Sequence, residues 1–214
     1  MRRHRLSIPA RIMGLAAAFL VLSSLAPLHA EPVGEPAAKR LIQKVVSDAV
    51  IAFGGKTLEP NERRAKLAEL IDRYGDIPIY SQDVLGRYWK RASSTEQSDF
   101  NKLLPRYLQG CWTGSLSDMP TNLRVDFTTV ETSPNGRTIV HSLATVPNDT
   151  LAIDWTVTRS ADGHPILADV TVDGMSVFQT IQSDFMAALR ANGGKLDVLF
   201  AAVQQKIAAQ QETP

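Results

Sequence analysis

Only one cysteine, Cys111, occurs in the 214 residues, so no disulfide can close within the chain. Next to Trp112 it reads as a small buried hydrophobe rather than a reactive thiol. Histidine is nearly as scarce. Only His141 and His164 lie beyond residue 30, 23 positions apart, and with a single thiol they make no zinc ligand set. A charge excess is missing too, since 23 Lys and Arg face 22 Asp and Glu. Four of those arginines and none of the acids fall in residues 1–30, which leaves 19 basic against 22 acidic and a net charge of −3 for the remainder. That balance gives no electrostatic case for nucleic acid. No Gly-rich phosphate loop, His-Glu-x-x-His or Gly-x-Ser-x-Gly is present, so an enzyme has little to start from.

The N-terminus is distinctive. Arg2, Arg3, Arg5 and Arg11 precede an apolar run from Ile12 to Leu25, followed by Ala26-Pro27-Leu28-His29-Ala30. A basic start, a short apolar core and a small residue at the break read as a signal peptide. The run is about 14 residues, against the roughly 20 of a membrane span. Cleavage is expected near Ala30, which places the mature protein in the periplasm. No Cys at the junction offers a lipid attachment point. An uncleaved anchor is the rival reading.

Residues 31–37, rich in Pro, Gly and Glu, read as a flexible leader. From Ala38 the positions Leu41, Ile42, Val45, Val46, Ala49, Val50 and Phe53 paint one helical stripe that Gly54-Gly55 stops. A second helix follows Pro60-Asn61 and carries Leu67, Leu70, Ile71 and Tyr74 to Gly75. A third, short helix over about 81–90 holds Val84, Leu85, Tyr88 and Trp89. Ser94-Thr95-Glu96-Gln97 reads as a capping box, opening a helix with Phe100, Leu103, Leu104, Tyr107 and Leu108 that Pro105 should kink.

After about Pro120 the period changes from 3.6 to 2. Leu123, Val125 and Phe127 alternate with Arg124, Asp126 and Thr128. Ser133-Pro134-Asn135-Gly136 and Ala161-Asp162-Gly163 are turns, and Leu151, Ile153, Trp155 and Val157 alternate with polar partners. Four antiparallel strands in a meander result, with one apolar face, ended by Asp173-Gly174. Two more helices follow. One carries Val177, Phe178, Ile181, Phe185 and Leu189, the other Leu196, Leu199, Phe200, Val203 and Ile207, with Asn192-Gly193-Gly194 between them. The fold class is therefore α+β: a four-stranded antiparallel meander sheet with amphipathic helices on one face. Its apolar surface fits either a filled core or an apolar cavity, because both use the same residues.

Two motif blocks narrow the choice. Leu85-Gly86-Arg87-Tyr88-Trp89-Lys90-Arg91-Ala92-Ser93, with Glu96-Gln97 and Phe100 beyond it, resembles a signature of the Mla-type periplasmic phospholipid-binding proteins. This is the MlaC or toluene-tolerance family, which includes the hopanoid-associated HpnM branch. Asp169-Val170-Thr171-Val172-Asp173-Gly174-Met175-Ser176 is similar to its second block, and Gln182-Ser183-Asp184-Phe185 and Asn192-Gly193-Gly194 fit its tail. The resemblance runs from about residue 38 to 206. Pro165 and Ile181-Gln182 depart from it, where family members often carry a Trp and a Tyr-Arg pair. The lost Arg leaves room for a lipid other than a phospholipid.

The resemblance implies one lipid-binding domain, 38–208, with a polar tail at 209–214. It implies an apolar cavity enclosed between sheet and helices, sheltering acyl chains. Lining positions would be Val125, Phe127, Ile153, Trp155, Val170 and Val172 from the strands, and Leu85, Trp89, Leu104, Tyr107, Phe178, Ile181 and Phe185 from the helices. Tyr88 stands with Trp89 at the mouth, where a polar tip suits a boundary. Expected partners are a phospholipid or hopanoid-type lipid, an inner-membrane ABC lipid transporter and an outer-membrane lipoprotein complex. A monomer is expected, with no cofactor, no metal and no catalytic group. The competing readings are an enzyme, with His141 and Asp154 or Asp169 as an acid–base pair, and a ligand-free adaptor with a solid core.

Overall fold

A computed structural model describes residues 31–112, 116, 119–147 and 149–212. The expected signal segment lies outside them. The first element is not preceded by a loose leader. Val33 is buried, and its carbonyl accepts a hydrogen bond from Thr138 Oγ1 at 2.7 Å. Arg159 donates to the carbonyls of Glu31 at 2.9 Å and Pro32 at 3.4 Å. Residues 35–37, read as leader, already belong to helix α1, Glu35–Phe53, with Pro36 in its first turn, where a missing N–H costs nothing.

Helix α2 spans Pro60–Tyr74 and α3 spans Ile77–Leu85. Asp76 caps α3, its Oδ1 accepting from Ile79 N–H at 3.0 Å. The third helix thus starts earlier than its apolar stripe suggests, and it ends at Gly86, whose φ of 50° opposes any side chain. A 3₁₀ turn, Gly86–Arg91, follows. Helix α4, Ser94–Trp112, runs through Pro105 without interruption. Cys111 in its last turn is exposed, not the buried hydrophobe its neighbour Trp112 suggests. The capping box of α4 is one residue earlier than read. Ser93 N–H donates to Glu96 Oε2 at 2.7 Å, and Glu96 N–H donates back to Ser93 Oγ at 3.2 Å. The Gln97 amide instead donates to Trp89 O at 3.0 Å, tying the 3₁₀ turn to α4.

The sheet has five strands, not four, in the order β1 (Arg124–Thr132), β2 (Thr138–Val146), β3 (Asp149–Arg159), β4 (Pro165–Val172) and β5 (Met175–Ser176), all antiparallel. Asp173-Gly174 does not end the sheet. With φ of 47° and 81° it forms the tight turn that adds β5. Asp173 also accepts from Ala152 N–H at 2.9 Å, pinning the turn to β3.

Two more helices complete the chain, α5 (Val177–Ala191) and α6 (Leu196–Glu212). Residues 209–212, read as a polar tail, extend α6. Helix α1 packs over the sheet face bearing Val140, Trp155, Val157 and Val170. Not all helices share that face. Asp169 alternates with Val170 and so stands on the opposite side of β4, where its carboxylate accepts from Phe178 N–H at 3.1 Å and from Ser176 Oγ at the start of α5. The expectation of helices on one face holds for α1 but not for α5.

Apolar burial is divided. One core joins α1, Tyr74 of α2 and the sheet. A second joins α3, the 3₁₀ turn, α4, α5 and α6 around Phe100, which is fully buried, stacks on Phe200 at 5.5 Å and meets Phe185 edge-on at 6.1 Å. A third, smaller cluster of Phe53, Leu58 and Leu67 lies between α1 and α2, and Leu70 and Ile71 of α2 connect it to the other two. A polar seam adds to these links. Arg137, just before β2, pairs with Asp83 of α3 at 2.6 Å. Gln182 donates to the Asp83 carbonyl, and the Tyr80 hydroxyl donates to the Leu167 carbonyl.

Candidate functional site

The registers align the apolar face of the sheet in rows across the strands. Val130, Val140, Trp155 and Val170 form one row, and Phe127, Ser142, Ile153 and Val172 form the next. Val125, Ala144 and Leu151 make a third. Helix α1 covers the first row well, since Val140, Trp155 and Val170 are buried. Cover thins along the strands. Phe127, Ile153, Val172, Val125 and Leu151 are half-buried. The result is an apolar apron beside α1, bordered by the half-buried Leu41 and Val46 of that helix.

Ser142 is the polar exception in the apron. Its Oγ donates to Ile153 O at 3.0 Å and accepts from Trp155 Nε1–H at 2.8 Å. The pair leaves no unsatisfied atom and fixes the indole against α1. Ser142→Ala would strand that buried N–H, and we expect a loss of about 1–3 kcal/mol in chemical denaturation. A stability unchanged from wild type would mean the indole finds another acceptor.

The residues expected to line a single cavity fall into two groups. Val125, Phe127, Ile153, Trp155, Val170 and Val172 share the sheet face. Leu85, Tyr88, Leu104, Tyr107, Ile181 and Phe185 are buried in the helical core, with Trp89 and Phe178 half-buried against it. Sheet and helical sets therefore do not face one another across a common space. A hollow beneath the sheet is not shown among the described residues. Within the helical core Tyr107 meets Phe185 at 5.2 Å, while Tyr80 of the same core reaches a strand, donating to the Leu167 carbonyl. Tyr88 is not at an open mouth but buried, with Arg87 placed over its ring at 5.1 Å.

A shallow groove of about 250 Å³ lies elsewhere, between α4 and α6, lined by Asp99, Lys102, Leu103, Arg106, Phe200 and Gln204. It is smaller than the roughly 300–1,000 Å³ of a typical small-molecule site. Sequence reading missed it, because its floor residues Leu103 and Phe200 carry the ordinary signal of a core stripe.

The histidine pair does assemble. His141 Nδ1 lies 2.7 Å from Asp154 Oδ1, while Nε2 faces Glu131 at 3.6 Å. These are cross-strand neighbours on the solvent face. The ring thus bridges carboxylates of two neighbouring strands, hydrogen-bonded to Asp154 and close to the exposed Glu131. Asp169 is not part of this group. Burial raises its carboxyl above the usual range, opposed by donors from Ser176, Phe178 and Val170. Among the described residues no group of three or more His, Cys, Asp or Glu is placed to hold a metal, and no helix is long and apolar enough to cross a membrane.

A five-stranded antiparallel sheet with one apolar face, a helix laid along part of it and a separate helical core define an α+β domain whose largest chemical resource is apolar surface. The chain belongs to the MlaC protein family, whose match covers residues 39–205. The fold is similar to that of the phospholipid-binding protein from Ralstonia solanacearum, solved in complex with a phospholipid. The TM-score is 0.69 at 20% identity, over 82% of this chain and 99% of that one. No curated protein matches the chain by sequence.

Proposed function

We propose that this protein is a periplasmic lipid carrier, exported by the signal segment cleaved near Ala30, which shields apolar lipid chains between the outer and inner membranes. It works with an inner-membrane ABC lipid transporter and an outer-membrane lipoprotein complex. The observation that carries the reading is the half-buried apron of Val125, Phe127, Ile153 and Val172 on a chain of the MlaC family. The phospholipid held by the Ralstonia protein supports the same cargo class.

The physical demand is plain. Each methylene exposed to water costs about 0.8 kcal/mol, so two tails of roughly 15 methylenes would cost on the order of 24 kcal/mol bare. A carrier must offset most of that without outbidding the membrane. Weakly polar walls meet both needs, and no catalytic group is called for. Loading is expected to widen the apron at the edge of α1. Recognition then falls on the tails. Gln182, where relatives often have Arg, is uncharged, and its amide is held by the Asp83 carbonyl. That arrangement suits a phospholipid or a hopanoid-type lipid equally.

Native mass spectrometry of the protein purified without detergent from a membrane-containing host tests this. The expected result is a mass increment matching lipid. A clean unliganded mass would overturn the carrier and favour an adaptor with a solid core.

A further inference from the structure

Charge is divided between the two parts of the molecule. Residues 124–176, which hold the sheet, contain three Arg and seven Asp or Glu, a net of −4. Residues 86–112, the 3₁₀ turn and α4, contain five Lys or Arg and two Asp or Glu, a net of +3. Three of those cations, Arg87, Lys90 and Arg91, are exposed within one 3₁₀ turn. In such a turn residues three apart eclipse, so Arg87 and Lys90 share an edge.

A fourth cation joins them from the α5–α6 loop. Gly194, with φ of 78°, lies so close to Tyr88 that a Cβ there would stand 2.9 Å from the ring. Arg87 covers the same ring at 5.1 Å. The exposed Lys195 therefore follows directly on the residue that abuts the 3₁₀ turn. Arg87 reaches the Tyr88 hydroxyl at 3.4 Å. Lys90, Arg91 and Lys195 have no side-chain ion pair among the described residues. Glu96, bonded to Ser93, and Asp197 are the acids nearest in sequence.

We propose that this end of the helical core docks on the anionic phosphate surface of a phospholipid bilayer. Protein interfaces centre on apolar and aromatic side chains with charge at the rim. Here the aromatics, Tyr88 and Trp89, are drawn into the core. Of the large exposed hydrophobics Ile51, Leu143, Met175 and Val198, none belongs to the 3₁₀ turn. Long cations without an apolar centre fit a diffuse plane of phosphates better than a protein partner. The sheet, at −4, is turned from such a surface by repulsion, so docking also orients the molecule. The proposal does not depend on lipid carriage.

Co-sedimentation of the purified protein with vesicles tests it. Binding is expected to vesicles containing phosphatidylglycerol, not to phosphatidylcholine alone, and to fall at high salt. Replacing Arg87, Lys90 and Arg91 together with Gln should weaken it by about a hundredfold, roughly fivefold for each cation removed. Lys195→Glu, outside the 3₁₀ turn, should weaken it separately, which keeps the test independent of any misfolding of the triple variant. Equal binding to neutral vesicles, or full binding by both folded variants, would overturn the proposal. So would capture by an acidic protein with no vesicle binding. A vesicle-bound protein that carries no lipid would uphold docking and count against carriage.

Discussion

Replacing Phe100 with alanine is expected to cost about 3–5 kcal/mol, a large part of the 5–15 kcal/mol that holds a typical domain. The side chain is fully buried between Phe185 and Phe200, on α5 and α6. The loss should not be uniform. Phe100 belongs to the core of α3 to α6, while the sheet packs with α1 in another, so hydrogen exchange should quicken first in α4, α5 and α6 while β2 and β3 keep their protection. A single loss of protection across helices and sheet alike would show that the seam couples them as tightly as one core would.

The second large effect concerns cargo. Phe127→Asp combined with Ile153→Asp would set two carboxylates into the Phe127–Ser142–Ile153–Val172 row. Both side chains are half-buried, so the folded protein can keep the charges wet, and the stability change should stay within about 2 kcal/mol. Acyl chains cannot lie there without desolvating the carboxylates, at several kcal/mol each. Co-purifying lipid should fall more than about tenfold, which needs only 1.4 kcal/mol. Val170→Trp makes the contrast. Val170 lies under α1, so overpacking there should chiefly destabilise, by about 1–3 kcal/mol. Undiminished lipid in a folded double variant would remove the apron as the binding surface.

Much of this architecture is legible in residue spacing. The stripes of α1, α2, α4, α5 and α6, and the alternation of β1 to β4, follow from which side must be buried. The misses have separate causes. Strand β5 is two residues long, too short for any period to register. The 3₁₀ turn keeps Tyr88 and Trp89 at positions an α-helix would also bury. Ser93 and Ser94 offer rival caps, and only the carboxylate of Glu96 decides between them. The leader looked free because its partners, Thr138 and Arg159, lie more than a hundred residues away. The division into separate cores has a deeper reason for escaping the spacing. A Leu or Phe declares that it will be buried, not against which neighbour. The residues expected to form one wall are therefore divided in space between the sheet face and the helical core.

The anchoring of Val33 carries a practical corollary. Thr138 and Arg159 grip the backbone just past the expected cleavage point, so a bulky reporter fused immediately upstream of Glu31 would press on the β3–β4 hairpin and compete with those hydrogen bonds. Purification handles and fluorophores for in vitro work belong beyond the far end of α6, spaced from Gln210, whose carbonyl accepts from Arg64 at 3.2 Å.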